Sequence, residues 1–286
     1  MSRRSRGPVI SSIVWSAIQD RADRQRRGPG RRKRALRRQR RARRRQRRAL
    51  HRRCPLDRTE FDRFADEYHS LHASNIRASG ESPEYFAHYK IRDLQSAAQR
   101  ANGCGPGQLI LDFGAGVGGS TGHLQALFDE PRIVGVDVSL RSLAIGRARF
   151  EASQWVCFDG HRLPFAADRF DWAIAACVFH HISPSEHVAA LAEIRRVLKP
   201  GGGLMVFEHN PWNPLTARAV NTCPFDVNAQ LISLPEMRRR FAQAGFVRAD
   251  CRYRVFFPRR LAFLRKLEAS LGWLPLGAQY YVFGRK

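Results

Sequence analysis

From Gln108 onward, short apolar runs bounded by glycine, proline and acidic residues alternate with longer stretches whose apolar positions fall three and four apart. The first pattern predicts buried strands and the second amphipathic helices. Strands are expected at 108–112, 132–137, 153–157, 171–178 and 203–208, with two more at 247–257 and 278–283. Ser139 is placed to cap a helix bearing Leu140, Leu143, Ala144 and Phe150. Ser183-Pro-Ser-Glu186 reads as a capping box with proline at the first helical position. It would open a helix that buries Val188, Leu191, Ile194, Val197 and Leu198 and ends at Lys199-Pro-Gly-Gly-Gly203. A further helix is expected over 235–245, closed by Gly245. Upstream, 61–71 predicts a short amphipathic helix, and Ser82-Pro83 caps and opens another. Alternating strands and helices imply a parallel sheet covered on both faces, with its carboxyl strand ends on one edge.

Two of those strand ends carry the chemistry. Leu109-Ile-Leu-Asp-Phe-Gly-Ala-Gly-Val-Gly118 is an apolar run ending in Asp112 and a glycine turn, and Ile133-Val-Gly-Val-Asp137 is a second run ending in an acid. Gly114 and Gly116 permit a sharp turn and close approach of a ligand, and the helix that follows directs free N–H groups at the turn. Asp137 lies 21 residues after Gly116, about where an acid meets a ribose diol in such crevices. Gly114-x-Gly116-x-x-Gly119 also satisfies the dinucleotide fingerprint, which leaves a nicotinamide cofactor open. Asp112 tips the balance: so close to the first glycine it would repel a pyrophosphate and favour a cation. S-Adenosylmethionine, with a sulfonium and an ammonium and no phosphate, is such a cation.

At these residues the chain resembles the class I S-adenosylmethionine-dependent methyltransferases, in the broad small-molecule group, over roughly 60–286. Five features stand in family order: Asp112-Phe-Gly-Ala-Gly-Val-Gly118, Asp137, Asp159 in Cys157-Phe-Asp-Gly-His161, Arg169-Phe-Asp-Trp-Ala-Ile-Ala-Ala-Cys-Val-Phe-His-His181, and Leu198-Lys-Pro-Gly-Gly202. The resemblance implies an α/β fold, a Rossmann-like seven-stranded mostly parallel sheet with helices on both faces and N-terminal lid helices over 54–107. It places Asp112 by the methionine moiety, Asp137 and Val138 by the ribose, Asp159 and Gly160 by the adenine, and Gly114, Gly116 and Gly118 in the turn. Tyr68 is then a lid contact. The helix-like stretch 258–275, apolar and basic, departs from the family's short connection between its last two strands. A helix packed on the sheet is its plainest reading; a lipid-surface or dimer contact is the alternative.

Methyl transfer from a sulfonium is an in-line displacement with a neutral leaving group, so the protein must align a nucleophile and, for a hydroxyl, remove a proton. Histidine suits that task near neutral pH. His209 is the first candidate base and His180 and His181 the next. Trp212, Trp273, Tyr280 and Phe225 are candidate walls for a flat or isoprenoid acceptor, and Asp226 a polar contact on the same side.

Charge changes the picture only at one end. The formal net charge is +25, and residues 1–53 hold 22 Lys/Arg against two Asp, so the folded remainder carries +5. The arginine block is expected to be disordered alone and to suit nucleic acid or an anionic membrane. The alternatives to a small-molecule or lipid-like acceptor are an RNA-modifying enzyme using this arm and an NAD-dependent oxidoreductase. Six scattered cysteines without a C-x-x-C pair read as reduced thiols of a cytoplasmic protein, and no metal-ligand spacing is visible. No apolar run is long enough for a transmembrane helix. The apolar stretch 8–18 lacks a convincing cleavage site for a leader.

Overall fold

The computed structural model describes residues 68–101, 105–224, 226 and 228–286, together with Asp62 and Ala65. The basic tail, Phe61, Phe64 and Phe225 lie outside these residues. The elements are α1 (Tyr68–Asn75), α2 (Pro83–Ala101), β1 (Leu109–Phe113), α3 (Thr121–Leu127), β2 (Arg132–Asp137), α4 (Leu140–Arg149), β3 (Gln154–Cys157) and β4 (Phe170–Ala176). A 3₁₀ turn at Phe179–His181 follows, then α5 (His187–Val197), β5 (Leu198–His209), α6 (Pro214–Asn221), α7 (Leu234–Gln243) and β6 (Val247–Arg254). A 3₁₀ segment at Arg259–Leu267, α8 (Glu268–Leu271) and β7 (Gln279–Arg285) complete the chain.

The seven strands form one sheet in the order β3-β2-β1-β4-β5-β7-β6. β1 through β5 run parallel, and β7 inserts antiparallel between β5 and β6. Period-two alternation sorts the side chains into two cores. Leu111, Val136, Ala175 and Val206 face Leu191, Ile194, Met237 and Phe241 of α5 and α7. Ile110, Ile174, Met205 and Phe207 face Leu94, Ala98 and Leu124 of α2 and α3. Both sides of the sheet are thus covered by helices, and the strand ends remain for chemistry.

Local signals are borne out in part. Ser82 Oγ accepts from Tyr85 N at 3.4 Å, and Ser139 Oγ accepts from Ser142 N at 3.1 Å, each at the start of its predicted helix. Ser183-Pro-Ser-Glu186 is not a capping box: α5 begins only at His187, without a side-chain cap, and Ser183 instead bonds Ser185 at 2.9 Å. Leu198 and the glycines after it belong to β5 rather than to a helix end, because Leu198 pairs with Phe170 and Gly203 with Trp172. The insert does not pack down as a helix. Its 3₁₀ segment has no buried residue, and Phe263 and Trp273 are 74 % and 76 % exposed. Among the described residues Cys177, Cys223 and Cys251 are free thiols, as expected. Among the described residues no helix is long and apolar enough to cross a membrane.

Candidate active site

The carboxyl ends of β1, β2, β4 and β5 meet at one edge, and the glycine turn after β1 shapes its first half. Gly114 has φ +74°, and a Cβ there would stand 2.5 Å from Val178 of the segment after β4. Gly116 has φ +52° and open space where a Cβ would be. One glycine is therefore required by packing and the other leaves the turn bare toward a ligand. Gly118 abuts Trp155 and Phe150, so its role is also packing.

Asp137 fastens the turn. Its Oδ2 accepts from Gly116 N and its Oδ1 from Ser139 N, both at 2.8 Å. Burial raises its pKa, against the lowering effect of these N–H groups. Val138 lies beside it, near Gly160. Asp159 is exposed and accepts from His161 N and Arg162 N, and the Arg162 N–H in particular lowers its pKa. Asp62, which no local signal singles out, reaches the same end and accepts from Ser139 Oγ and from Arg141 N. The side chain of Tyr68 lies outside what is described.

Asp112 differs from its neighbours. It is 2 % exposed, and its Oδ2 is buried with no hydrogen-bond partner. Burial first, and the nearby Asp137 second, raise its pKa to about 7. An unpaired carboxylate at this depth is costly, and the cost is relieved by a cationic ligand.

The second half of the edge is polar and already interlocked. Glu208, 0 % exposed, accepts from Val178 N at 3.1 Å and Phe179 N at 2.7 Å through Oε1, and holds His180 Nδ1 at 2.6 Å through Oε2. Burial opposes a charge on His180, yet Glu208 overcomes it and lifts the imidazole to about 10. A histidine that keeps its proton so firmly is poorly suited to take another. Asp226 Oδ1 lies 3.6 Å from His180 Nε2 and 3.3 Å from His181 Nε2. The His209 ring centroid is 5.2 Å from that of His180, and Gln279 Nε2 approaches His209 Nδ1 at 3.4 Å.

Residues not selected from the sequence complete this half. Lys90 of α2 reaches Cys177 Sγ at 3.2 Å, and Tyr89 donates to Gln279 Oε1. Burial alone would raise the Cys177 thiol, but Lys90 and His209 bring it down to about 7. Lys90 carried one available signal: a cation next to Tyr89 and Ile91 on the buried face of an amphipathic helix.

The predicted aromatic walls divide. Tyr280 is a core residue, fully buried with its hydroxyl donating to Ile232 O at 2.8 Å. Trp212 and Trp273 are exposed, as are Leu215, Phe263, Leu267 and Leu276. Asn210 and Asn213 donate to the backbone of Pro275, Gly277 and Leu276, bringing the Trp212 loop against the end of the insert. The result sets exposed Trp212 and Leu276 beside the amino end of β7, at the same edge as His209 and Gln279.

A family model described as a methyltransferase domain matches residues 110–202. A demethylmenaquinone methyltransferase of Beutenbergia cavernae is 38% identical over 119 residues, 41% of this chain and 48% of that protein. One of Mycobacterium sp. (strain KMS) is 33% identical over 181 residues, 60% of this chain and 70% of that protein. The ubiquinone/menaquinone biosynthesis C-methyltransferase UbiE of Ectopseudomonas mendocina is 33% identical over 43% of this chain and 51% of its own length. The chain thus spans about half the length of two of these relatives and 70% of the third. Among solved structures, a possible histamine N-methyltransferase from Thermotoga maritima superposes with a TM-score of 0.54 at 21% identity, covering 79% of this chain and 97% of that one. The Haemonchus contortus phosphoethanolamine N-methyltransferase 2 gives 0.53 at 16%, covering 81% and 61%. Both show a common fold.

Proposed function

The chain belongs to the class I S-adenosylmethionine-dependent methyltransferases, and we propose that it methylates an oxygen or carbon of a small, lipid-like acceptor of the quinone class. The acceptor class follows the relatives named demethylmenaquinone and ubiquinone/menaquinone C-methyltransferases. The observation that carries the donor assignment is the orphaned Asp112 oxygen beside the bare glycine turn.

These residues fit S-adenosylmethionine. Asp112 faces its cationic methionine end, and Gly114, Gly116 and Gly118 keep the turn close. Asp137 keeps free lone pairs for a ribose diol while its backbone bonds hold it still, with Val138 alongside. Asp159 and Gly160 would take the adenine edge, and Tyr68 is the lid contact that the family resemblance implies. Bound there, the cofactor supplies an electrophilic methyl group on a sulfonium. The chain's own contribution is alignment and proton removal. His209 is the better-placed base, because Glu208 already commits His180 to a proton and His181 faces Asp226. Lys90, beside Cys177, is a fixed cation available to an acceptor's anionic oxygen.

The exposed apolar side chains of Trp212, Trp273 and Leu276, on segments that the Asn210 and Asn213 bonds join, support a lipid-like acceptor, since a long apolar tail needs a place to lie outside the cleft. Arg259, Arg260 and Lys266 on the same insert, and the arginine block of 31–53, favour an anionic membrane as the surface from which it is taken. Incubation with methyl-labelled S-adenosylmethionine and fractionated cell extract should place label in the lipid fraction. Label in RNA alone would refute this acceptor class.

A further inference from the structure

We propose that His180 Nε2, His181 Nε2 and Asp226 Oδ1 form a mononuclear site for a divalent first-row transition ion of zinc-like ligand preference, at the acceptor end of the cleft. The three ligand atoms lie within 4.8 Å of one another. Consecutive residues of a helical turn ordinarily diverge, by about 100° per residue in an α-helix. Here the 3₁₀ turn Phe179–His181 instead brings the two imidazole centroids to 4.1 Å. Both Nε2 atoms address one carboxylate oxygen.

That oxygen is the second observation. Asp226 is 5 % exposed, and its Oδ1 is buried without a hydrogen bond. It stands 3.6 Å and 3.3 Å from the two nitrogens. A simple imidazolium–carboxylate bond would close to about 2.7–2.9 Å. Ligands held about 2.0–2.1 Å from a tetrahedral zinc ion are instead separated by about 3.3 Å. The two histidine–carboxylate spacings, ion pairs longer than a direct hydrogen bond, lie near that edge length, and the third separation is within 4.8 Å.

Glu208 supplies the outer support such a site requires. A metal-ligating histidine characteristically donates its other ring N–H to a carboxylate, which fixes its tautomer and direction. His180 Nδ1 does so to Glu208 Oε2 at 2.6 Å, and the other Glu208 oxygen is locked by Val178 N and Phe179 N. The His180 Nε2 lone pair is thereby directed at Asp226 once an ion takes the place of a proton. Two imidazoles and one carboxylate leave at least one coordination position open. Resting here on the methyltransferase reading, that position would receive a phenolic or enolic acceptor oxygen as its anion, its proton passing to the buffer. Ion binding itself does not depend on that reading.

The full-length protein, stripped with chelator and dialysed, is titrated with zinc sulfate by calorimetry and with cobalt(II) by visible absorption. One ion per chain is expected, with a cobalt spectrum free of thiolate charge-transfer bands. His181 is partly exposed, so His181→Ala should retain the fold, as thermal unfolding would verify. It should weaken the ion at least tenfold, as should Asp226→Asn. Glu208→Gln should weaken it about 10–100-fold. Failure to bind stoichiometrically, affinity unchanged in His181→Ala and Asp226→Asn, or thiolate bands in the cobalt spectrum would overturn the site. S-Adenosylhomocysteine binding in the same samples separates the two readings: retained without an ion, only this inference fails; lost with the ion bound, only the methyltransferase reading fails.

Discussion

The two halves of the strand-end edge are built on opposite principles. Around β1 and β2 the polar groups are few and close in sequence, and the decisive one, Asp112, is unpaired. Around β4, β5 and β7 the groups are many and come from distant segments, with Glu208 alone satisfying three donors. The first half leaves its central acid unpaired, whereas in the second Glu208 is satisfied from within and the unbonded atom, Asp226 Oδ1, faces two histidines. On the proposed function, such a cleft would bind its donor by relieving an existing electrostatic cost and would meet its acceptor with groups that Glu208 already holds in place.

The contrast is broken most severely at Glu208. Glu208→Ala orphans two backbone N–H groups and a buried imidazolium, and should cost about 3–5 kcal/mol, on the order of 10 °C in melting temperature. Calorimetric unfolding checks it, and a loss within the noise would show that the network is not structural. Asp112→Asn has the reverse sign. The folded pKa of Asp112, about 7, lies above the ordinary carboxylate value, so the folded state holds the extra proton. Its ionisation destabilises the free protein progressively as pH rises from about 4 to about 7. Asp112→Asn should therefore stabilise the ligand-free protein at pH 8, on the order of 3 kcal/mol, and should do little at pH 4. Denaturant titrations at both pH values would reveal it.

A smaller effect sharpens the boundary between the halves. Gly114→Ala places a methyl against Val178 at positive φ, and should cost about 2 kcal/mol. Adding Val178→Ala should recover only part of this, because it removes the collision and leaves the backbone strain. The smallest effect is expected at the exposed apolar side chains. Trp273→Ser and Leu276→Ser should change unfolding free energy by less than about 0.5 kcal/mol. They should raise KM for a long-tailed acceptor severalfold and leave KM unchanged for a tail-less analogue. Equal effects on both analogues would remove these side chains from acceptor binding.

The same division governs what could be read from the chain. Asp112, the glycine turn and Asp137 lie within 26 residues and obey local rules of strand end, turn and cap, so their meeting was legible. All seven strands were visible from apolar runs, with ends displaced by a few residues. The turn at Ser183 misled because its hydroxyl satisfied Ser185 while α5 began a few residues later. The other half was legible only as a list of residue types. Nothing local to Lys90, Asp226 or Gln279 announces that the topology brings them to Cys177, His180 and His209. Glu208 carries no local signal of its buried role, because alternation along β5 places a strand-end acid equally well in solvent. The insert misled through its leucines, whose helical spacing implied burial that the 3₁₀ conformation does not provide.

The most direct test is calorimetric titration of S-adenosylmethionine into wild-type and Asp112→Asn protein at pH 6 and pH 8. Affinity should rise several-fold with pH in the wild type, as Asp112 ionises, and should be weaker and nearly flat in the variant. Wild-type protein that ignores the ligand at millimolar concentration, or a variant that reproduces the wild-type affinities at both pH values, would contradict a donor site built on a buried, unpaired acid.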